Sequence, residues 1–376
     1  MKIAVMKERR QHERRVAASP ETVKKLSGLG AKIVVESGAG AASHIADETF
    51  ADAGAEIAND ASAALSGADV IFTVQGLDGD ELAAAPADAI LLGVLNPFLE
   101  KERLDAIANQ KLTAFAMEFM PRITRAQSMD VLSSQSNLSG YKAVLEACSH
   151  YDRSMPMMMT AAGTVAPARV LVMGAGVAGL QAIATAKRLG AIVSATDVRL
   201  AAKEQVESLG GKFVMVDDDE AKEAETSGGY AKEMSDAYKE KQAALIAETI
   251  KKQDIVITTA LIPGREAPQL VSEEMLKSMK PGSVIVDLAA EQGGNCALAK
   301  PGEVVEAHGV KIVGAMNMPS RLAADASSLY AKNLFNFISP LIDKDSGALA
   351  IDWDDELIKG TLITKGGSIV HERLTS

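Results

Sequence analysis

The stretch Arg169–Arg199 constrains the fold of this chain more than any other: RVLVMGAGVAGLQAIATAKRLGAIVSATDVR. A short apolar strand enters a turn with three glycines, an alanine-rich helical segment follows, and a second β-branched run ends on an acidic residue. This order is typical of the first βαβ unit of a dinucleotide-binding domain, in which ligands bind at the carboxyl ends of the parallel strands. The stretch therefore predicts an α/β fold with a dinucleotide site at the glycine turn.

Each glycine of the turn has a separate predicted task. Gly174 permits the tight turn, Gly176 lets the backbone approach a pyrophosphate, and Gly179 lets the helix pack closely on the strand. The pyrophosphate would then lie on N–H groups at the positive end of the helix dipole.

Asp197, at the end of the second strand, predicts which dinucleotide is preferred. Its carboxylate is placed to accept hydrogen bonds from both ribose hydroxyls of an adenosine, and it would repel a 2′-phosphate. We therefore predict NAD(H) rather than NADP(H), with Arg199 as a mild signal in the other direction.

Composition excludes several other classes of protein. The 50 acidic residues outnumber the 39 basic ones, which argues against a nucleic-acid partner. No apolar run reaches the roughly 20 residues that span a bilayer, and the N-terminus lacks the features of a signal peptide. The two cysteines and five dispersed histidines have no metal-ligand spacing. We expect a cytoplasmic protein without direct membrane insertion or a bound metal.

The pattern of predicted elements indicates two domains. Strands and helices alternate through most of the chain, which is typical of parallel sheets covered on both faces. We predict two doubly wound, Rossmann-like domains with a cleft between them, the first formed by 1–137 and 320–376 and the NAD(H)-binding domain by 138–319. The predicted strands are Lys2–Met6, Ala31–Glu36, Val70–Val74, Ile90–Val94, Leu112–Ala116, Val170–Met173, Ile192–Thr196, Phe213–Val216, Asp254–Ala260, Ser283–Ala289 and Lys311–Ala315. The predicted helices include Pro20–Leu29, Glu48–Ile57, Ala61–Leu65, Leu99–Asn109, Leu138–Tyr151, Ala178–Leu189, Gln242–Lys252, Ser272–Met279 and Ala323–Leu341.

Four segments stand outside this alternation. Phe119–Asn137 is polar and long for a loop, and long loops in compact domains are often functional. The methionines of Met155–Thr160 predict adaptable packing. The acidic stretch Asp217–Glu240 is either a solvated excursion or a mobile lid, with Gly228 and Gly229 as hinges and Tyr230 as a cover. The tail after Asp343 predicts a hairpin or an extended arm, which could lie over a neighbouring subunit.

Five motifs together resemble one family: RITRAQSMDVLSSQSN, GAGVAG, SGGYAKEM, TTALIPG and DLAAEQGGN. Over essentially its whole length the chain resembles the NAD(H)-binding component of proton-translocating nicotinamide nucleotide transhydrogenases, and more distantly the alanine dehydrogenases. The resemblance implies an oxidoreductase that passes hydride between NADH and NADP(H), the latter held on a partner subunit. It also implies a homodimer and coupling to proton translocation through a membrane-spanning subunit. The protein would then lie peripherally at the inner face of the membrane.

The resemblance also assigns roles to individual residues. Arg122, Gln127, Asp130 and Ser133 match the polar loop around the nicotinamide, so they carry the predicted catalytic role. The predicted cofactor contacts are Arg122, Ile123, Thr124, Gln127, Ser128, Met129, Asp130, Gly174, Ala175, Gly176, Val177, Gly179, Asp197, Val198, Arg199, Gly229, Tyr230, Gln242 and Leu261.

The departures from alanine dehydrogenases separate two possible reactions. Oxidative deamination needs a base and a group that binds the substrate carboxylate. The lysine and histidine of those enzymes are Gln75 and Asn96 here, a later aspartate is Glu291, and only Arg15 keeps a match. Hydride transfer between two nicotinamides needs positioning and exclusion of water instead. The alternatives are a stand-alone amino-acid dehydrogenase and a non-catalytic NAD-binding module.

Overall fold

The structure, a computed structural model, describes residues 1–216, 235–262, 264–343 and 345–375. The chain divides into two compact units. Unit 1 comprises Met1–Gln135 with Pro319–Ser376, and unit 2 comprises Ser136–Met318. Each unit has a mainly parallel sheet with helical connections, so the predicted class of two Rossmann-like α/β units is confirmed. Labels below follow chain order.

The sheet of unit 1 has the strand order β17-β16-β6-β5-β4-β1-β2-β3. Its six strands from β1 to β6 are parallel to their neighbours, whereas β16 pairs antiparallel with β6 and β17 with β16. The order reverses between β1 and β4, where a doubly wound sheet has its topological switch point. The strands are β1 (Lys2–Val5), β2 (Lys32–Glu36), β3 (Glu56–Ala58), β4 (Val70–Phe72), β5 (Ile90–Gly93), β6 (Thr113–Ala116), β16 (Leu362–Lys365) and β17 (Ser368–Ile369).

The helices of unit 1 cover this sheet, and their sequences explain where they begin. The first helix starts at Pro20 behind Ser19, whose hydroxyl accepts the Thr22 N–H in a capping box. Helix α11 returns late in the chain and buries Tyr330, whose hydroxyl donates to the Thr73 carbonyl at 2.9 Å. The helices are α1 (Pro20–Gly28), α2 (Asp47–Asp52), α3 (Ala61–Leu65), α4 (Gly79–Ala84), α5 (Lys101–Asn109), α11 (Ala323–Ile338), α12 (Glu356–Thr361) and α13 (Glu372–Thr375).

The sheet of unit 2 has the order β11-β10-β9-β12-β13-β15-β14, and only β14 runs antiparallel. A separate two-stranded hairpin consists of β7 (Met158–Thr160) and β8 (Gly163–Val165). The main strands are β9 (Arg169–Met173), β10 (Ile192–Thr196), β11 (Lys212–Phe213), β12 (Ile255–Thr258), β13 (Val284–Asp287), β14 (Val304–Ala307) and β15 (Val310–Gly314). The helices are α6 (Val131–His150), which begins in unit 1, α7 (Val177–Arg188), α8 (Ala202–Ser208), α9 (Asp236–Ile250) and α10 (Glu273–Ser278).

Three predictions of local structure were wrong. The helix predicted over Glu48–Ile57 ends at Asp52, and Glu56–Ala58 is strand β3, because Ile57 pairs with Val35 in the parallel ladder. Helix α6 begins at Val131 rather than Leu138, so much of the segment predicted as a loop is helical. The methionines predicted to pack are only partly buried: Met155 lies in the core, but Met157, Met158 and Met159 are exposed at the hairpin.

Two further expectations meet the limits of the described chain. The predicted lid residues Gly228, Gly229 and Tyr230 lie outside the described residues. The tail does form the predicted hairpin, as β16 and β17 at the edge of the sheet of unit 1. Within the described ranges, no helix combines the length and apolarity needed to cross a membrane.

Candidate functional site

The glycine turn of unit 2 has the geometry that its sequence predicts. Gly174 has φ +104°, in the region that favours glycine. A Cβ on Gly179 would lie 1.8 Å from the Gly174 carbonyl oxygen, so only glycine allows α7 this close to the turn. No described atom lies within 4 Å of a Cβ placed on Gly176, where the backbone is open to a ligand. Helix α7 begins at Val177 with Gly176 as its N-cap, which leaves backbone N–H groups for an anion.

Gly140 is a second close-packing glycine, which our sequence interpretation missed. It lies in α6, and a Cβ there would be 2.0 Å from the Ala178 carbonyl oxygen. The two helices therefore cross at backbone contact near the first turn of α7. An isolated glycine inside a helical pattern, as in LSGYK, is the sequence signal that could have identified it.

Asp197 is buried at the end of β10 and accepts four hydrogen bonds. Its Oδ2 accepts from the Ala175 N–H at 2.7 Å, and its Oδ1 from the Arg199 N–H at 2.8 Å. The Arg199 guanidinium donates to both oxygens, at 2.9 and 3.1 Å. Burial acts to raise the pKa of Asp197, but the bonds from Arg199 and Ala175 outweigh it and hold that pKa below its usual range. The carboxylate is therefore ionised, as the preference for NAD(H) requires.

This arrangement sharpens the roles predicted for the turn. Because the Ala175 N–H is bonded to Asp197, the N–H groups that follow it, at Gly176 and Val177, are the better candidates for a phosphate. Because Arg199 occupies lone pairs on both oxygens of Asp197, a ribose hydroxyl has to displace part of the guanidinium. Val198, between the two charged residues, is 72% exposed.

Gln242 and Leu261, the two remaining described positions predicted to contact NAD(H), lie on different supports. Gln242, on α9, accepts from the Val216 N–H at 3.0 Å and donates to the Thr196 hydroxyl at 3.1 Å, so it links the ends of β10 and β11. Leu261 is exposed in the loop after β12.

The loop that carries Leu261 is fastened by residues not predicted for the site. The fully buried Asp287 accepts the Asn295 N–H at 2.8 Å. The Asn295 side chain in turn bonds both the N–H and the carbonyl of Ala260, at 3.0 and 2.8 Å. The DLAAEQGGN motif thus fixes the backbone next to the glycine turn, because the Thr259 hydroxyl donates to the Gly174 carbonyl at 3.1 Å.

In unit 1 the polar motif forms an exposed 3-10 helix, Thr124–Met129, between β6 and α6. Ile123 packs against the apolar core of the unit, and Ala126 and Met129 are buried beneath the turn. The side chains of Arg122, Thr124, Gln127 and Ser128 belong to exposed residues. The loop therefore presents polar groups to solvent on an apolar base.

Asp130 and Ser133 serve each other at the start of α6. The Asp130 carboxylate accepts the Ser133 N–H at 2.9 Å and the Ser133 hydroxyl at 2.6 Å. These are the bonds of a helix N-terminus. Two of the four predicted catalytic residues thus join the loop rigidly to the helix that follows it.

The residues that match the dehydrogenase substrate site are bonded within unit 1. Arg15 is buried and ion-paired with Glu13 at 2.6 Å, and it also donates to Gln135 at 2.9 Å. The Gln75 amide donates to the same Glu13 carboxylate. The Asn96 backbone N–H donates to Glu118 at 2.6 Å. An arginine neutralised by an internal carboxylate is poorly placed to bind a substrate carboxylate.

Two glutamates at this edge of the sheet have strongly raised pKa values. Burial raises the pKa of Glu8 to about 7, although its carboxylate accepts the Val74 and Gln75 N–H groups. Burial likewise raises the pKa of Glu118 to about 7. Its Oε1 accepts the Leu95 N–H at 2.9 Å, while its Oε2 is sealed from solvent without a hydrogen bond from any described residue.

These shifts predict a pH-dependent stability. An unfolded glutamate titrates near 4.5, so a folded pKa of about 7 means that the folded state binds the proton more tightly. The contribution of Glu118 to the free energy of unfolding should therefore fall as pH rises from 4.5 through 7, by about 3 kcal/mol at 1.36 kcal/mol per pKa unit. Urea unfolding can be followed by the single tryptophan, Trp353, which lies in unit 1.

Glu118→Gln is the matched variant, because it keeps the oxygen that accepts from the backbone and removes the titration. We expect its stability relative to wild type to improve by about that amount between pH 5 and pH 8. An unchanged difference between the two proteins at all pH values would show that Glu118 is ionised in the folded state.

Among the described residues, no group of three or more His, Cys, Asp or Glu side chains is arranged to hold a metal ion.

The glycine turn, the helix N-terminus and the ionised carboxylate on two parallel sheets define the class: an α/β protein with Rossmann-like units. The model of the alanine dehydrogenase/PNT N-terminal domain matches residues 4–139, and that of the alanine dehydrogenase/PNT C-terminal domain matches residues 143–372. The chain belongs to the alanine dehydrogenase/PNT family, which confirms the family predicted from its motifs.

Individual relatives favour the transhydrogenase branch. The chain is 58% identical over 380 residues to the first of the polypeptides that form NAD(P) transhydrogenase subunit alpha in Rhodospirillum rubrum, with 100% of this chain and 99% of the relative covered. A crystal structure of transhydrogenase from Sinorhizobium meliloti has a TM-score of 0.90 at 54% identity, covering 98% of this chain and 100% of that one. A solved L-alanine dehydrogenase has a TM-score of 0.82 at 26% identity, covering 100% and 98%.

Proposed function

We propose that this chain is the NAD(H)-binding subunit of a proton-translocating transhydrogenase, active in hydride transfer only together with partner subunits. The observation that carries the proposal is the contrast between its two sets of polar residues. The groups that would act on an amino acid are replaced or bonded internally, whereas the groups that would position a dinucleotide are present.

The turn of unit 2 supports binding of NAD(H). A pyrophosphate fits a helix N-terminus whose N-cap is Gly176, and an adenosine ribose fits the ionised Asp197. We infer a preference for NAD(H) over NADP(H) because a 2′-phosphate would bring a second negative charge against Asp197. Arg199 weakens this preference but does not reverse it, since its guanidinium is already paired with that carboxylate.

The loop of unit 1 supports the positioning role. Bound NADH supplies the hydride, and the protein has to orient the nicotinamide and keep water away from it. We propose that Arg122 and Gln127 orient the carboxamide and ribose, and that Gln127 also faces the NADP(H) held by the partner subunit. In this reaction Asp130 and Ser133 hold the loop against α6.

The assembly follows from the same proposal. We infer a homodimer that meets a membrane-spanning subunit and an NADP(H)-binding subunit, so that the chain lies peripherally at the inner face of the membrane. Glu8 and Glu118 have raised pKa values but are bonded to backbone N–H groups of their own sheet, so we assign neither of them as a catalytic base.

The test compares the purified chain with and without an NADP(H)-binding partner. Alone, it should bind NADH and show no NAD⁺ reduction with L-alanine. With the partner loaded with NADPH, it should reduce an NAD⁺ analogue whose reduced form absorbs at a separate wavelength. Amino-acid oxidation by the isolated chain would support the dehydrogenase alternative, and NADH binding without transfer to any partner would support the non-catalytic alternative.

A further inference from the structure

The 3-10 helix Thr124–Met129 is exposed at its tip and yet fastened on two sides by residues far away in the sequence. Its fastenings come from α11 and from the segment before α12, both in the last part of the chain. None of these residues belongs to the set predicted to contact the dinucleotide.

The first fastening is on the carbonyl of Ser128, the residue next to Gln127. The side-chain amides of Asn333 and Asn336 both donate to it, at 2.9 and 3.0 Å. The two asparagines are three residues apart on α11 and so lie on the same face of the helix. A carbonyl oxygen has two lone pairs, and here two rigid donors occupy both of them.

Asn333 is itself held by a buried chain of side chains. It is only 6% exposed, and its Oδ1 accepts the Ser134 hydroxyl at 2.7 Å. The Ser134 oxygen accepts from Gln135 at 3.2 Å, and Gln135 accepts from Arg15 at 2.9 Å. The arginine that matches the dehydrogenase substrate residue is thus connected, through Gln135 and Ser134, to the loop that carries Gln127.

The second fastening is a two-pronged ion pair. The guanidinium of Arg125 donates to both oxygens of Asp355, at 2.8 and 2.7 Å. Asp355 is in turn fixed at the start of α12, because its Oδ1 accepts the Leu357 N–H at 2.7 Å. Exposed ion pairs contribute about 0.2–1 kcal/mol to stability, so the geometry of this pair matters more than its strength.

We propose that Asn333, Asn336 and Asp355 are positioning residues for hydride transfer, which set the place of Gln127 by holding Ser128 and Arg125 from opposite ends of the loop. This role rests on the proposed function. Productive transfer requires the reacting atoms at about 3–3.5 Å, and a displacement of about 1 Å can cost roughly 100-fold in rate. A loop held at only one end would bind the dinucleotide but align it poorly.

The test uses single-turnover transfer between the partner's NADPH and an NAD⁺ analogue on the complete chain. Asp355→Asn keeps an oxygen that accepts the Leu357 N–H but removes the charge, and Asn336→Ala removes one donor to Ser128. Each should slow transfer about 10-fold, and the double variant about 100-fold. The NADH dissociation constant should change less than about threefold, because binding energy is spread over the turn of unit 2.

The matched control is Asp354→Asn, a neighbouring carboxylate paired with Lys359 at 2.8 Å instead of with the loop. It should transfer hydride at the wild-type rate. Hydrogen exchange at the amides of Gln127–Met129 should quicken in Asp355→Asn and Asn336→Ala but not in the control, with unchanged Trp353 fluorescence in all three.

The outcomes separate the positioning role from the proposed function. If wild type transfers hydride and both variants match the Asp354→Asn control, the positioning role is wrong while the proposed function stands. A rate loss that merely follows a loss of NADH binding would also overturn the positioning role. If wild type transfers no hydride with the partner, the proposed function fails and this role fails with it.

Discussion

Gly179→Ala is expected to abolish useful binding of NADH and to destabilise unit 2. The added Cβ would lie 1.8 Å from the Gly174 carbonyl oxygen, far inside van der Waals contact, and the atom it meets is backbone. Helix α7 must then move away from the turn, at a cost of about 3 kcal/mol in the free energy of unfolding. The displaced helix N-terminus should raise the NADH dissociation constant by about 100-fold or more.

Gly176→Ala is the matched variant, and the two glycines should behave differently. Gly176 has φ −75°, which any residue adopts, and no described atom would contact its new Cβ. Its thermal unfolding should match wild type, while NADH binding weakens because the methyl group lies where the pyrophosphate would approach. Equal losses of stability in both variants, or normal NADH binding by Gly176→Ala, would contradict the assignment of the turn. Isothermal titration with NADH and thermal unfolding measure the two quantities.

Gln127→Asn should slow hydride transfer by roughly 100-fold while changing the NADH dissociation constant less than about threefold. The substitution keeps the amide and shortens the side chain by one methylene, so it changes where the amide lies and not what it can bond. Gln127 is exposed on a loop with a buried apolar base, so the fold should not respond. Single-turnover kinetics with the NADPH-loaded partner measure the rate.

Gln205→Asn, at an exposed position on α8, provides the same chemical change outside the predicted site. It should transfer hydride as wild type does. If Gln127→Asn also transferred at the wild-type rate, Gln127 would have no part in aligning the nicotinamide. A parallel loss of NADH binding and rate would instead make it an ordinary binding residue.

The sequence predicted the regular parts of both sheets because those strands are continuous apolar runs with β-branched residues. Val170–Met173 and Ile192–Thr196 agree with β9 and β10 within one residue. Glu56–Ala58 could not be recognised in this way, because a short edge strand has little apolar pattern and depends on pairing with β2. The early start of α6 did have a local signal, the Asp130 cap two residues before Leu132, which the polar composition of the segment concealed.

The glycine turn is the region of the candidate site that sequence describes best, because each step of its chemistry is local. Gly174, Gly179 and Asp197 act within one βαβ unit, and their geometry agrees with the roles predicted for them. By contrast, the supports of the site join segments far apart in the chain. Nothing in one sequence indicates that Asp355 reaches Arg125 or that Asn333 reaches Ser128, since these contacts depend on how α11 and the tail return to unit 1.

The same reasoning explains the fate of Arg15. Its sequence match to the dehydrogenase arginine is real, but a match does not show what the guanidinium bonds. In the structure it is paired with Glu13 and linked to Gln135, so it serves the interior of unit 1. Burial with a carboxylate partner, rather than residue identity, distinguishes a structural arginine from a substrate-binding one.

Direct transfer between two nicotinamides is the central claim, and isotope labelling tests it most directly. The partner is loaded with NADPH deuterated at the transferring position of the nicotinamide, mixed with this chain and an NAD⁺ analogue in ordinary water, and the reduced analogue is analysed by mass spectrometry. We predict one deuterium in every product molecule, with no product when this chain is omitted. Product that carries hydrogen from the solvent, or equal product without the chain, would contradict direct transfer.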